Sequence, residues 1–528
     1  MSGQTDVEKG QLPAADFEGI DKGDATPSTN PSLDPSIGAQ DETKPAKDLS
    51  GEVYPESDME KGLVGWEGQD DPENPRNFTS AQKIRSMTLI AAITFLSPLI
   101  STISAPGVSY MDAEFHNSSS ILASLAVSIF VLGFAAGPLI ISPLSEIYGR
   151  QIVLNICNSL LTLWQIGCAL APNIGSLIAF RFLAGAGGSA CLSIGGGIIS
   201  DLFTTQQRGL AASAYTFGAL FGPIIGPMIG GFIAQRAGWR WAYWVALCAA
   251  GVVSVGNIFL SAETSPTILL RRKTNRLRKE LTRPELQSVL DAKSGTDTSS
   301  ILVLRRGMIR PLRMLFLTPI LLCLSTYVAF VFGLLYLLFT TLTSLYINTY
   351  HWQPELCGLA YLGLGLGCMT GIITVAKTSD ATIIRLTKAN NGVYEPEMRL
   401  ASCVLFALFV PISFFWYGWS ADYAVHWIVP ILGLIPFGFG MMGILIPVQT
   451  YFIDVGGHFA ASALSGLTAF RCLFGGLLPL AGPKMYEALG LGWGNSLLGF
   501  LSLGLIPVPA IIYKYGGAIR KKWPIQLR

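Results

Sequence analysis

The sequence predicts an all-α polytopic membrane protein, with twelve transmembrane helices in two pseudo-symmetric halves of six. Three observations predict it. About twelve apolar stretches, each close to twenty residues, follow one another beyond position 80. Charged residues make up 13% of the chain, against roughly 25% in soluble domains, while hydrophobic residues reach 51%. One long connection, residues 262–313, carries twelve Lys or Arg and divides the stretches six and six.

The stretches lie near residues 84–105, 120–141, 151–171, 177–200, 210–233, 241–261, 316–341, 356–377, 400–418, 427–452, 460–482 and 495–513. A helix rises 1.5 Å per residue, so about twenty apolar residues cross a hydrocarbon core of about 30 Å. The seventh and tenth are long enough to tilt or kink. Five regions follow: an acidic tail (1–80), a first six-helix half (81–261), a basic linker (262–313), a second half (314–513) and a short tail (514–528). The first region holds 18 of the 34 acids against 6 bases and has few large apolar residues, so it reads as disordered. It has no basic segment followed by an apolar core, so no cleaved signal is expected; the first span would serve as the targeting signal.

Beyond position 80 there are 16 acids and 30 bases. The bases gather in alternate connections: the linker with LLRRKTNRLRK (Leu269 to Lys279), then Lys377, Arg385, Lys388 and Arg399, then Lys514, Arg520, Lys521, Lys522 and Arg528. The opposite side holds only Arg236, Arg240 and Lys484. The positive-inside rule then places both termini and the linker in the cytosol. The basic excess reflects loop placement, not a nucleic-acid partner. A weak repeat supports two halves: Glu146 follows span two as Asp380 follows span eight, and Asp201 closes span four as Asp454 closes span ten.

The nine cysteines show no CxxC pair and read as packing residues; the four histidines are scattered, so no metal site is expected. The sequence contains no GxxxxGK[ST], GxSxG or HExxH pattern. Catalytic residues, cofactors and ATP as a power source are therefore not expected, and the chain does not read as an enzyme.

Three stretches carry more than composition. The connection after span two reads GPLIISPLSEIYGRQIVL, with Gly137, Glu146, Gly149 and Arg150. Glu146 is expected to cap the positive N-terminus of span eleven near residues 459–462, and Arg150 to pair with Asp201, two contacts suited to a gate. Span four contains RFLAGAGGSA; Arg181 is costly there unless it faces a cavity or a partner, with an outward-snorkelling arginine as the alternative. Span five reads GALFGPIIGPMIGG, with Gly218, Gly222 and Gly226 four apart and Pro223 and Pro227 beside them. Such a ridge permits close helix packing, and the prolines bend the helix.

Together with DPENPRNF (Asp71 to Phe78), GWRWAYW (Gly238 to Trp244), ETSPTILLRRK (Glu263 to Lys273), GLAYLGLGLG (Gly358 to Gly367) and YFIDVGGHFAASAL (Tyr451 to Leu464), these stretches resemble the fungal twelve-spanner drug:proton antiporters of the major facilitator superfamily, over about residues 70 to 520. Ser142 and Glu146 stand where that signature has glycine and aspartate. The resemblance implies the major-facilitator fold, a central cavity, alternating access, and export of drugs, toxins or a fungal secondary metabolite across the plasma membrane. It also implies a proton as second substrate. The residues supply no obvious proton carrier, because all 16 acids beyond the tail fall in loops or at span ends. Asp112, Glu114, Glu146 and Asp201 remain open for that role, as does transport without coupling. Aromatic and polar side chains suited to a cargo cavity are Tyr215, Phe221, Tyr327, Tyr336, Tyr361, Gln449 and Arg471, the last midway along span eleven. Rival readings are a nutrient or polyamine transporter of the same superfamily and a non-transporting sensor. The expected partners are a small-molecule substrate, protons and the lipid bilayer, with the chain functioning as a monomer. Asn117-Ser118-Ser119 is a glycosylation sequon in the first outer loop.

Overall fold

The computed structural model describes residues 54–204, 208–294, 300–457 and 460–523. Ten crossings are α1 (Ser80–Thr102), α2 (Ser120–Tyr148), α3 (Arg150–Ala169), α4 (Ile174–Leu202), α5 (Arg208–Arg236), α6 (Trp239–Leu260), α7 (Pro319–Tyr350), α8 (Tyr361–Ala389), α9 (Pro396–Asp422) and α10 (Ile428–Gly456). The last two lie within one helical run of 63 residues, Ala460–Lys522. Such a run is about 95 Å long, three times the hydrocarbon thickness, so it must fold back. It does so at Gly490, whose φ of 72° and ψ of 177° interrupt the helix. Residues 460–489 form α11 and residues 491–522 form α12, which makes twelve.

Helix ends follow local chemistry. Thr79 and Gln82 form a capping box at α1, Ser119 caps α2 through Leu122 N–H, and Asn173 with Ser176 caps α4. Several helices outrun their apolar cores: α7, expected to end near 341, continues to Tyr350. The segment expected as a tail from 514 is helical to Lys522, and the linker contains helices Pro266–Glu280 and Ser300–Leu317. Polar residues continue a helix once apolar packing has nucleated it, so apolar length underestimates helix length.

Close packing within each half is built on small residues. Along α5, a Cβ added at Gly218, Gly222, Gly226 or Gly230 would overlap the α1 backbone at Ala91, Phe95, Leu99 and Ile103 in turn, a shared step of four residues. Pro227 has no N–H, so the carbonyl of Pro223 lacks its helical donor; the Thr102 hydroxyl on α1 supplies one at 3.0 Å. The small face of α4 does the same for α2, where Gly133 meets Phe182 and Gly185 meets Phe130. In the second half, Gly363, Gly367 and Gly371 of α8 face the α10 backbone at Ile431, Ile435 and Phe439. These seams replace a hydrophobic drive that lipid cannot supply.

The acidic tail departs from expectation. Residues 1–53 lie outside the described residues, but from Tyr54 onward the chain is ordered. Strand β1 (Leu63–Val64) pairs in parallel with β2 (Gln287–Ser288) of the linker, and Trp66 is buried. Asp71, within DPENPRNF, accepts from the N–H groups of Glu67 and Glu73 and from Lys273 Nζ at 3.0 Å. Arg276 pairs with Glu73 at 3.0 Å. Acid in the first region thus neutralises base in the linker, a long-range match that composition does not reveal. Burial alone would push the Asp71 carboxyl up, but the two N–H groups and the ammonium outweigh it and hold it below the usual range. A carboxyl depressed on folding contributes stability above its unfolded value near 4, and loses it as pH falls through the lower folded value. Docking of residues 54–78 should therefore be intact at neutral pH and weaken toward pH 3. Asp71→Asn leaves Lys273 buried beside only the exposed Glu67 and should cost on the order of 3 kcal/mol of docking stability. Limited proteolysis at pH 7 checks it: the variant should be nicked in this segment at least tenfold faster than wild type.

Candidate functional site

The twelve crossings have two ends, one crowded with the basic connections and one nearly free of them. At the latter, the halves touch. Gln235 Nε2 donates to Gln353 Oε1 at 2.7 Å, and Gln235 Oε1 accepts from Glu355 N–H at 2.9 Å. Arg236 meets Glu355 at 3.0 Å, and Gly358 allows the backbone to pack on Met228. The other two bases of this face are not equivalent: Arg240 pairs with Glu114 at 2.8 Å, while Lys484 has no ion pair among the described residues.

At the basic end, each half carries a matching arginine–aspartate pair. Arg150, opening α3, meets Asp201 of α4 at 3.4 Å. Arg399, in the opening turn of α9, meets Asp454 of α10, and the Tyr394 hydroxyl also donates to Asp454. Gly149 has φ of 106°, and a side chain there would strike the carboxylate of Glu263. That carboxylate accepts from the N–H groups of Arg150 at 2.9 Å and Gln151 at 3.3 Å, and from Thr264 and Ser265. An acid at a helix N-terminus is favoured by the helix dipole. The cap was expected from Glu146 onto α11. Glu146 is instead exposed and makes no ion pair among the described residues, and residues 458–459 lie outside them. Glu263, the acid that does cap, stood in ETSPTILLRRK; an acid directly after an apolar span and before Thr-Ser-Pro was the available signal.

Between the ends lies a line of polar groups joining the halves. Arg181 of α4 is 1% exposed. Its Nη2 donates to the carbonyls of Ser101 on α1 (2.6 Å) and Val127 on α2 (3.2 Å), and its Nη1 to the Tyr243 hydroxyl on α6 (3.2 Å). It therefore faces the bundle and not the interface with lipid. Ser101 Oγ lies 3.3 Å from the Tyr336 hydroxyl of α7, across the two halves. The Tyr336 ring is 5.3 Å from Phe332, and the guanidinium of Arg471 on α11 sits over Phe332 at 5.0 Å. A small apolar recess of about 10 Å³ opens beside Phe332, lined by Val328, Val331, Met441, Ile444 and Leu445.

The other expected cavity residues divide. Tyr215 donates to the Cys191 carbonyl and packs on Gly195, tying α5 to α4. Phe221 stacks on the exposed Phe217 at 4.1 Å. Tyr327 is buried within the second half, and Tyr361 is held there by Thr343 and the Phe339 carbonyl, both at 3.1 Å. Gln449 is half-buried on α10. Tyr336, Arg471 and Arg181 are the expected residues brought onto the line between halves. Ser101, Phe332 and Tyr243 were not foreseen, because a Ser, a Phe and a Tyr in apolar spans look like any others. The sequon residue Asn117 donates through Nδ2 to Asp112 (2.7 Å) and to the Ser119 carbonyl (3.0 Å).

The sequence profile of the Major Facilitator Superfamily matches residues 90–479. The chain belongs to the major facilitator superfamily. The "MFS-type transporter penM" of Penicillium rubens is 47% identical over 94% of this chain and 98% of its own length. The "Efflux pump radE" of Floropilus chiversii is 38% identical over 90% and 87%. Among solved structures, the partially occluded inward-open xylose transporter XylE of E. coli aligns with a TM-score of 0.61 at 15% identity, covering 83% of this chain and 98% of that one; this likeness concerns fold alone. This major facilitator is thus a multi-pass membrane transporter of small compounds and not an enzyme.

Proposed function

We propose that this transporter exports small organic compounds, drugs, toxins or a fungal secondary metabolite, across the plasma membrane by alternating access. The observation that carries the direction is the likeness to a pump named for efflux, in keeping with the doubled Gly-Pro seam of α5. The aromatic line from Tyr336 through Phe332 to Arg471 supplies the polarisable wall that such cargo needs. In the proposed orientation both termini and the basic end face the cytosol and the protein works as a monomer. Glycosylation at Asn117 would have to break both bonds of its amide, and we read that residue as a clamp on the entry to α2. Expression of the gene in a sensitive yeast strain tests export: intracellular dye and candidate toxins should fall at least severalfold against the empty strain, and equal accumulation refutes it.

Exchange for protons is the coupling we favour. Among the described residues no carboxylate lies on the line between the halves; Asp201, with a side chain 14% exposed beside Arg150, is the acid best placed to exchange a proton with the gate. A proton-independent facilitator is the second reading, favoured by that same lack of a central acid. Loaded vesicles decide between them. Acidifying the side that receives cargo should accelerate efflux severalfold, and an unchanged rate removes the proton from the mechanism.

A further inference from the structure

The line between the halves carries two positive charges and no negative one. Arg181 and Arg471 contribute one each, and among the described residues neither forms an ion pair. The crossings around them hold acids only near their ends: Glu146 on α2, Asp201 on α4, Asp454 on α10, Glu487 on α11, and none on α7. A guanidinium in a low-dielectric setting is costly without a counter-charge.

The two arginines differ. Arg181 is fixed by three hydrogen bonds and flanked by the rings of Phe130 at 5.5 Å and Tyr243 at 5.8 Å, so only its Nε is left without a partner. Arg471 has no hydrogen bond of this kind. Its guanidinium touches the Phe332 ring and its Nε is buried without a partner; the neighbouring Cys472 sulfur is the polar atom beside it. A guanidinium offers five N–H donors in a planar fork that matches a carboxylate. A fork held over an aromatic ring, with its Nε buried and without an acceptor, is suited to receive one. Arg181 reaches Tyr336 through Ser101, and Arg471 reaches it through Phe332, so both charges stand near the point where the halves meet.

We propose that the cargo is an organic anion: an apolar or aromatic body carrying a carboxylate, its anionic oxygens on Arg471 and its body against Phe332 and Tyr336. Arg181 supplies a second, fixed positive charge. The assignment rests on the exporter reading and narrows it. A cationic cargo would meet like charge at Arg471, with the buried charge of Arg181 behind it, and is disfavoured. Export of an anion also moves negative charge outward, so an inside-negative membrane potential assists it.

The test compares two fluorescent probes of similar size, anionic carboxyfluorescein and cationic rhodamine 6G, in cells expressing wild type, Arg471→Gln or Arg471→Lys at matched surface levels. In parallel, purified wild type is melted with aromatic carboxylic acids and with their methyl esters. Wild type should export the anionic probe in preference, and acids but not esters should raise Tm. Arg471→Gln should lower anionic efflux at least tenfold and cut the anionic-to-cationic ratio, while Arg471→Lys, which keeps the charge without the fork, should fall between. If rhodamine leaves as fast as carboxyfluorescein, or the ratio is the same in Arg471→Gln, the exporter stands and the anion assignment falls. If neither probe leaves and no acid stabilises the protein, the anion assignment falls, and the accumulation of toxins in the expressing strain decides the exporter reading separately.

Discussion

Replacing Gly230 by leucine should leave almost no folded protein in the membrane. The reason lies in the α1–α5 seam. A Cβ at Gly230 would overlap the carbonyl of Ile103, and the three glycines below it meet Leu99, Phe95 and Ala91 in the same way. Over-packing costs about 1–3 kcal/mol when neighbouring side chains can yield. Here the obstacle is main chain, which cannot rotate away, so the helices must separate along the seam. Separation would also break the 3.0 Å bond from Thr102 to the Pro223 carbonyl, the group that Pro227 leaves without a helical donor. Membrane abundance, read by fluorescence-detected gel filtration of a tagged protein, should drop at least tenfold. Gly504→Ala is the control: on α12 nothing lies within 4 Å of a Cβ at Gly504. That change should stay within twofold of wild type or gain slightly, since glycine costs about 0.5–1 kcal/mol relative to alanine inside a helix. Wild-type abundance of Gly230→Leu would mean that α1 and α5 do not touch along this line.

Replacing Arg181 by alanine should be nearly as damaging, for the opposite reason. It removes bulk and bonds where glycine substitution adds bulk. One guanidinium ties α4 to the Ser101 carbonyl of α1, the Val127 carbonyl of α2 and the Tyr243 hydroxyl of α6. Hydrogen bonds to charged groups contribute about 1.5–3 kcal/mol each, and three on one side chain do not add independently. The rings of Phe130 and Tyr243 would also flank a void. Tm should fall by several degrees, and transport at least tenfold. Arg181→Lys keeps the charge, but one ammonium cannot hold the same three partners, so it should recover part of the Tm and less of the transport. An alanine variant with unchanged Tm would show that the first half does not depend on this tie.

Much of the site was legible in part. Gly149 and Arg150 were recognisable as a tight turn with a charge, and Arg150 does meet Asp201. The partner of that turn was not legible: the sequence pointed Glu146 at distant α11 and offered no acid for the turn itself, and Glu263, more than a hundred residues away, holds the position. Arg181 and Arg471 stood out because charge is rare in apolar spans, whereas Ser101 and Phe332, which connect them through Tyr336, are ordinary residues for such helices. The repeat was visible as Asp201 and Asp454, yet the pairing of Asp454 with Arg399 required the second half to be folded.

By itself the sequence determined the fold class, the division into two halves, the helices that pack on glycine and the charges too costly to face lipid. Each follows from the price of an unpaired polar group in hydrocarbon, and that price is local to a span. Only the tertiary structure decided which acid caps the motif turn, that Asp71 and Glu73 of the acidic first region bind Lys273 and Arg276 of the linker, and that two arginines from different halves share one line with no carboxylate between them. Those outcomes depend on distances between segments far apart in the chain, which charge and periodicity along the chain do not encode.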